Sequence, residues 1–175
     1  MKKPPAYWNK AKRILSKRDP ILRKIIKKFN LYKTCIEFGI FIRRSCLADV
    51  RFDHQLGVGS PTMLWSDEGP DLLLKLINQE QRFLFIPELF IYHPDPVKLY
   101  DEKSIVRSYR YGCGRGAYLR KNKYPIWFVF YVWSLYVAGI LIAIFQFNSR
   151  KFQYFFQGLK GRIKGYIFRN NFLKD

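Results

Sequence analysis

The stretch FDHQLGVGSPTMLWSDEGPDLLLKL, residues 52–76, joins a glycine-containing loop to a cluster of acids in an otherwise basic chain. Three carboxylates lie within five positions of it, those of Asp67, Glu68 and Asp71. Pro70 suits the first position of a helix, and a negative charge at Asp71 favours the positive end of the helix dipole. We therefore predict a helix from about Pro70 to about Glu80. The first two acids would lie in the loop before it, where a carboxylate can cap the helix or accept a proton from a bound hydroxyl.

Length and charge limit the classes of function. The chain has 175 residues, of which 49% are hydrophobic, and this is enough for one domain with a core. It carries 32 Lys and Arg against 13 Asp and Glu, and ten of these acids fall between residues 49 and 102. The net charge of +19 favours an anionic partner: nucleic acid, an anionic membrane or a phosphorylated substrate. The three cysteines have no zinc or redox spacing, which indicates a reduced protein that faces the cytoplasm.

An apolar run without charged residues, IWFVFYVWSLYVAGILIAIFQF, extends from residue 126 to residue 147. Its 22 residues are enough to cross a hydrocarbon core of roughly 30 Å as a helix. A buried core helix is less compatible with a chain this small. Basic residues stand on both sides of the run, and a single span would place one basic cluster outside, against the positive-inside tendency. Two interpretations remain: the run spans the membrane once, or it enters the membrane and stays near the cytoplasmic leaflet.

The segments around the run predict a four-part organisation. The parts are a basic helical segment (1–33), a main domain (34–124), a membrane-embedded helix (125–149) and a basic amphipathic tail that binds anionic lipid at the membrane interface (150–175). Within the main domain, TCIEFGIFIRR, RFLFIP and LFIYHP have the composition of short strands. Residues 101–119 begin as a helix, which we expect the glycines at 112, 114 and 116 to interrupt.

Four pieces in this order, FDHQLGVGS, DEGPDLLLKL, FIPELFIYHP and RYGCGRGAYLRKN, resemble the acceptor-side half of a family-2 glycosyltransferase. The resemblance covers about residues 34–125. It implies an α/β fold, here an incomplete domain of the nucleotide-diphospho-sugar transferase (GT-A) type with a few short strands and helices. The hydrophobic membrane helix and the amphipathic helix would follow this domain as its membrane-associated continuation.

The resemblance also implies an acceptor site and a catalytic base. The acceptor loop of the family matches Asp53, Gly57 and Gly59. The family's usual acidic motif is Glu-Asp-x-Asp-Leu, and its alignment on Asp71 places the position of the base on Gly69 of this chain. Either Glu68 is the base, which we favour, or Asp67 and Glu68 act as a shifted pair.

In the same resemblance, the donor is a nucleotide-diphospho-sugar, and a divalent metal ion (Mn or Mg) stabilises the leaving diphosphate. His93 matches a histidine that can complete the metal site, although a lone histidine is as often structural. Arg107, Arg110 and Arg115 surround three glycines and match the arginines that hold the diphosphate near the membrane. Basic residues that face a membrane surface would give the same pattern, and this alternative stays open.

The nucleotide-binding half of the family has no counterpart in the sequence, because no Asp-x-Asp motif occurs in it. We therefore expect a truncated or split glycosyltransferase that is inactive unless a separate chain supplies that half. It would transfer a sugar to a cell-surface polysaccharide or a lipid-linked acceptor at the cytoplasmic face of a bacterial inner membrane. We expect membrane lipid as a partner and no nucleic acid. The alternative is a non-catalytic membrane-anchored scaffold that binds anionic lipid and is indifferent to Glu68→Gln.

Overall fold

The computed structural model describes residues 24–34, 39–47, 49–86 and 100–167. Most of the predicted basic segment at 1–33, the predicted strand LFIYHP and the last residues of the tail lie outside this part of the chain. The chain forms two compact units. The first unit comprises Met1–Arg51 and Leu72–Lys98, and the second unit comprises Phe52–Asp71 and Leu99–Asp175.

The first unit contains short elements and most of one longer helix. In chain order these elements are β1 (Lys24–Ile25), α1 (Lys28–Thr34), α2 (Arg44–Leu47), α3 (Glu68–Asn78) and β2 (Leu84–Phe85). The two strands pair antiparallel, with Lys24 opposite Phe85. Helix α3 begins in the second unit and continues into the first, and its leucines at 72, 73, 74 and 76 are buried. Its observed start at Glu68 is two residues before the predicted one.

The prediction of an α/β domain of the GT-A type is wrong. Helix makes up 65% of the described residues, and strand is limited to the four residues of β1 and β2. The segment predicted as the strand TCIEFGIFIRR has no strand at its described positions and enters α2 instead. A short apolar run does not by itself distinguish strand from helix, and a strand also needs a neighbour with which to form hydrogen bonds.

Three helices of nearly equal length dominate the second unit: α4 (Glu102–Lys121), α5 (Ile126–Phe145) and α6 (Ser149–Ile167). The carboxylate of Asp101 caps α4 by accepting a hydrogen bond of 2.8 Å from the Ser104 N–H. Pro125 precedes the first residue of α5, where its missing N–H costs nothing. Short turns join the helices, so the chain runs up, down and up again.

Helix α4 is continuous, and the predicted interruption by glycines is wrong. Gly112 and Gly116 instead allow α6 to approach backbone to backbone. A Cβ at Gly112 would lie 2.5 Å from the carbonyl oxygen of Gly158, and a Cβ at Gly165 would overlap the carbonyl of Cys113. The Ser108 hydroxyl adds a hydrogen bond of 2.9 Å to the Tyr154 carbonyl. Small residues at the contact thus set a close, parallel packing of α4 on α6.

Helix α5 matches the predicted apolar run and is the one helix among the described residues that is long and apolar enough to cross a membrane. A single stripe of it is buried, formed by Phe128, Val129, Val132, Gly139 and Ala143. Large apolar side chains on the other sides are exposed, including Trp127, Phe130, Leu141 and Phe145. The predicted amphipathic tail is also helical, as α6, up to Ile167.

Candidate functional site

The acidic segment, defined as residues 52–71, is attached to α4 by buried charges. An Asp67 carboxylate oxygen lies 2.8 Å from an Arg115 guanidinium nitrogen, and the Asp67 side chain is fully inaccessible. The other oxygen of this carboxylate is 2.7 Å from the Ser66 hydroxyl, which is also 2.9 Å from the Tyr111 carbonyl. Gly114 makes room for this contact, because a Cβ there would lie 2.5 Å from the Ser66 hydroxyl oxygen.

A second ion-pair group fixes both ends of the acidic segment near the end of α4. The Lys121 ammonium is 2.6 Å from an Asp53 carboxylate oxygen and 2.9 Å from an Asp71 carboxylate oxygen. The Asn122 amide donates to the other Asp71 oxygen at 3.1 Å. Burial alone would lower the pKa of Lys121, but its hydrogen bonds to the two carboxylates outweigh burial and raise this pKa. The acids thus have a structural reason to cluster in a basic chain, because they neutralise α4.

The backbone conformation of Asp67 and the burial of its carboxyl are both energetically unfavourable. Its φ is +72°, in the left-handed region that residues with a Cβ rarely adopt. Burial raises the pKa of its carboxyl, and the opposing effects of Arg115, the Ser66 hydrogen bond and Arg162 do not cancel that rise. Strain and burial of this kind occur most often at functional sites, where surrounding contacts hold the residue in place.

Glu68 differs from its two acidic neighbours. Its buried Oε2 atom and the Oδ1 atom of Asp67 both lack a hydrogen bond among the described residues, but Asp67 Oδ1 is ion-paired to Arg115, whereas no ion pair involves Glu68 there. Gly57, with a φ of +99°, lies directly against it: a Cβ at Gly57 would be 2.5 Å from the Glu68 carboxyl carbon. Gly59 has a similar φ of +91°, but a Cβ there would meet nothing within 4 Å. Of the two glycines of the predicted acceptor loop, only Gly57 therefore shapes the space around the carboxylate.

The predicted acceptor loop is held in place by its own hydrogen bonds. The Asp53 carboxylate accepts a hydrogen bond of 2.9 Å from the Gln55 N–H, and the Gly57 N–H donates to the Leu64 carbonyl at 2.8 Å. The Thr62 hydroxyl donates to the Gln55 carbonyl at 2.7 Å. Leu56 and Leu64 bury their side chains beside Cys113 of α4. These contacts fix the conformation of the loop that carries Gly57.

An open groove of about 690 Å³ lies along the first half of α4. Its lining consists of Val58, Trp65, Glu102, Lys103, Val106, Arg107 and Tyr111. The Arg110 guanidinium stacks over the Trp65 ring at 3.9 Å from its centre. The Arg107 guanidinium lies 4.9 Å from the centre of the Tyr111 ring and donates to its hydroxyl at 2.8 Å. Aromatic faces beside cations can bind a sugar ring or a phosphate.

The structure separates the three arginines that were predicted to hold a diphosphate. Arg107 is exposed at the groove, Arg110 stacks on Trp65, and Arg115 is committed to Asp67. The glycine amides of the same segment are hydrogen-bonded within α4 and do not form a phosphate loop. His93, the predicted metal contact, lies outside the described residues. Among the described residues, no group of three or more His, Cys, Asp or Glu side chains could hold a metal ion.

Two residues of the second unit were missed by sequence reasoning. Trp65 was not singled out, although it provides the aromatic floor on which Arg110 stacks. Arg162 belongs to the predicted basic tail, yet it is buried, with its guanidinium 3.5 Å from the centre of the Tyr136 ring and donating to the Gly158 carbonyl. Its position between Gly161 and Gly165 was the available signal, since small neighbours let a helix approach closely enough to bury an arginine.

Comparison of the chain with protein-family models, with curated proteins and with solved structures gave no significant match. The resemblance to family-2 glycosyltransferases therefore stays a prediction from four sequence pieces. The geometry of the second unit is the remaining guide to function, and it directs attention to Glu68 and the groove.

Proposed function

We propose that the chain is the acceptor-side, membrane-attached part of a glycosyltransferase, with Glu68 as its catalytic base. The observation that carries this proposal is the contrast within the acidic cluster. Asp67 and Asp71 are buried and ion-paired to α4, whereas the carboxylate of Glu68 has no ion pair in the described part of the chain. A base must contact the acceptor hydroxyl, and the carboxylates of Asp67 and Asp71 are already occupied by Arg115 and Lys121.

The proposed reaction is an inverting transfer from a nucleotide-diphospho-sugar. The acceptor hydroxyl gives its proton to Glu68 while its oxygen forms a bond to the anomeric carbon of the donor sugar. The bond from that carbon to the diphosphate breaks, and the electron pair leaves with the nucleoside diphosphate. Gly57 contributes by leaving space beside the carboxylate, where a larger residue would displace it. The acceptor is a cell-surface polysaccharide or a lipid-linked sugar.

The nucleotide and the metal ion belong to another part of the enzyme in this proposal. Among the described residues, no cluster of His, Cys, Asp or Glu side chains forms a metal site, so Mn or Mg would be held mainly by that other part. A separate chain would supply the nucleotide-binding half, and His93 stays a predicted contact at that junction. We do not propose a GT-A domain for the described residues, which are helical.

The groove beside α4 supports the assignment of an acceptor. It combines the indole of Trp65 with the exposed charge of Arg107, and Val58 of its lining belongs to the same loop as Gly57. A sugar ring can stack on the indole while a phosphate meets the guanidinium. Location at the cytoplasmic face of a bacterial inner membrane completes the proposal, since the uncovered apolar helix and the excess of basic residues suit an anionic membrane.

The proposal is tested by deleting the gene in its host of origin and reintroducing wild-type or variant genes. Any partner chain is present in that host. Deletion should reduce a cell-surface polysaccharide or its lipid-linked precursor, the wild-type gene should restore it, and Glu68→Gln should not. Glu80→Gln, at an exposed position after α3, is the matched control and should restore it fully. Full restoration by Glu68→Gln would refute the assignment of the base, provided that immunoblots show equal amounts of both variants in the membrane.

The scaffold remains a second candidate, favoured by the uncovered apolar face of α5. It predicts that the chain binds anionic vesicles but that its deletion leaves every surface polymer unchanged. The two candidates therefore differ in the effect of deletion and in the effect of Glu68→Gln, while both require the membrane.

A further inference from the structure

The three long helices lie side by side, so they must share one orientation toward a membrane. Helix α5 is antiparallel to α6: the rings of Tyr136 and Phe155 are 5.7 Å apart, and those of Trp133 and Tyr166 are 5.9 Å apart. Helix α4 is parallel to α6, as the contact of Gly112 with Gly158 and the hydrogen bond of 2.8 Å from Arg120 to the Tyr166 carbonyl show. At 1.5 Å per residue, each helix is about 30 Å long.

This arrangement argues against an α5 that crosses the bilayer along the membrane normal. If α5 crossed the bilayer, the full lengths of α4 and α6 would lie at the same depths. Arg107 of α4 and Lys160 and Lys164 of α6 are exposed, lie inside the helix ends and would then face hydrocarbon. The acidic segment, which is attached along α4, would be immersed as well. Exposed charges at the depth of the acyl chains are strongly unfavourable.

The distribution of apolar surface fits a horizontal helix instead. The buried stripe of α5 runs along its whole length, and the exposed side chains cover the opposite sides. On α6, Phe156 and Ile167 are exposed on the face that also carries Phe152 and Leu159, while Lys160 and Lys164 lie on the next face round the helix. The uncovered surface of α5 is therefore continued by apolar groups and bordered by cations.

We propose that α5 lies in the plane of the membrane, embedded in one leaflet without crossing it, with the cations of α6 at the level of anionic headgroups. This inference rests on the membrane attachment in the proposed function but not on glycosyl transfer. It also removes the conflict with the positive-inside tendency. Lys123 before α5 and the basic pair Arg150 and Lys151 after it both stay on the same side.

The proposal is tested by determining on which side of the membrane each end of α5 lies. Lys123→Cys and Phe147→Cys place thiols at exposed positions in the two turns, and Val58→Cys marks the side of the acidic segment. The full chain, with its three native cysteines replaced by alanine, is labelled with a membrane-impermeant maleimide in sealed right-side-out and inside-out vesicles. We expect all three thiols to react with the maleimide in vesicles of one orientation. None of them should react in vesicles of the other orientation. Reaction of positions 123 and 147 from opposite sides would overturn the proposal.

A second measurement uses the wild-type chain and so does not depend on the folding of any variant. In stacked bilayers of phosphatidylcholine and phosphatidylglycerol, oriented circular dichroism reports the tilt of the helices. Because α4, α5 and α6 are mutually aligned, the signal should be that of helices parallel to the membrane plane. A signal from helices along the membrane normal, or a chain that does not bind these bilayers, would overturn the proposal. Neither result depends on Glu68, so the catalytic and the orientational proposals can fail separately.

Discussion

Replacement of Arg115 by methionine should destabilise the second unit strongly, because it leaves a buried carboxylate without its counter-ion. Asp67 is 1% exposed and lies 2.8 Å from the guanidinium, whose side chain is itself 18% exposed. Removal of one partner of a buried ion pair costs about 3–5 kcal/mol. The partial exposure of Arg115 and the ability of Asp67 to take up a proton both favour the lower end of this range.

Thermal unfolding of the chain in detergent, followed by circular dichroism, measures this loss. For a chain of this length, each kcal/mol changes the Tm by about 2–4 °C, so the expected decrease is roughly 6–20 °C. Arg107→Met is the matched control, because it removes an exposed arginine from the same helix. A surface substitution of that kind should change the Tm by no more than about 2 °C.

The pH dependence separates loss of charge from loss of packing. Burial raises the pKa of Asp67 above the ordinary value of 3.8, so the folded protein holds this proton at pH values where the unfolded chain has released it. The contribution of Asp67 to stability therefore falls as the pH rises through that window, and the penalty is complete above it. Loss of Arg115 raises the pKa further, so the Tm deficit of the variant should shrink as the pH is lowered.

Asp67→Asn in the Arg115→Met background should recover most of the lost Tm, because the uncompensated charge is gone. If the deficit of Arg115→Met were independent of pH and unaffected by Asp67→Asn, packing rather than charge would hold the acidic segment on α4. The ion pair with Arg115 would then not explain why the acids cluster in this segment.

Alanine substitutions of individual glycines give two further predictions. Gly57→Ala should abolish restoration of the surface polymer, because a Cβ would displace the Glu68 carboxylate, whereas Gly59→Ala carries similar backbone strain in open space and should retain most of it. Equal losses in the two variants would show that strain alone matters. Gly165→Ala should lower the stability by about 1–3 kcal/mol, because its Cβ overlaps the Cys113 carbonyl, and an unchanged Tm would contradict the backbone contact of α4 with α6.

Helices with a strong local signal could be predicted from the sequence. The apolar run predicted over 126–147 is observed as Ile126–Phe145, because 20 uncharged residues leave few other conformations open. The start of α3 was predicted within two residues from Pro70 and the acids around it. Composition and helix-start signals are local properties of the chain, so they survive without knowledge of the tertiary structure.

Features that depend on distant partners could not be predicted in the same way. The glycines of α4 were interpreted as helix breakers, since the partners of Gly112 and Gly116 on α6 and the partner of Gly114, Ser66, all lie more than forty positions away. Arg115 was assigned to a diphosphate because nothing in its neighbourhood indicates Asp67 as its partner. Of the strands predicted from short apolar runs, RFLFIP contains β2, which has β1 as a neighbour, whereas TCIEFGIFIRR has no strand at its described positions.

The burial of the acidic segment has a consequence for the order of events during synthesis. Asp71 leaves the ribosome 50 positions before Lys121, the ammonium that neutralises it. At typical rates of translation this interval lasts roughly 2.5–10 s. Throughout that time the carboxylates must stay hydrated, because their counter-ions do not yet exist. The acidic segment therefore completes its fold only after α4 has emerged, and a ribosome that pauses between these two points holds a chain whose acidic segment still lacks its counter-ions.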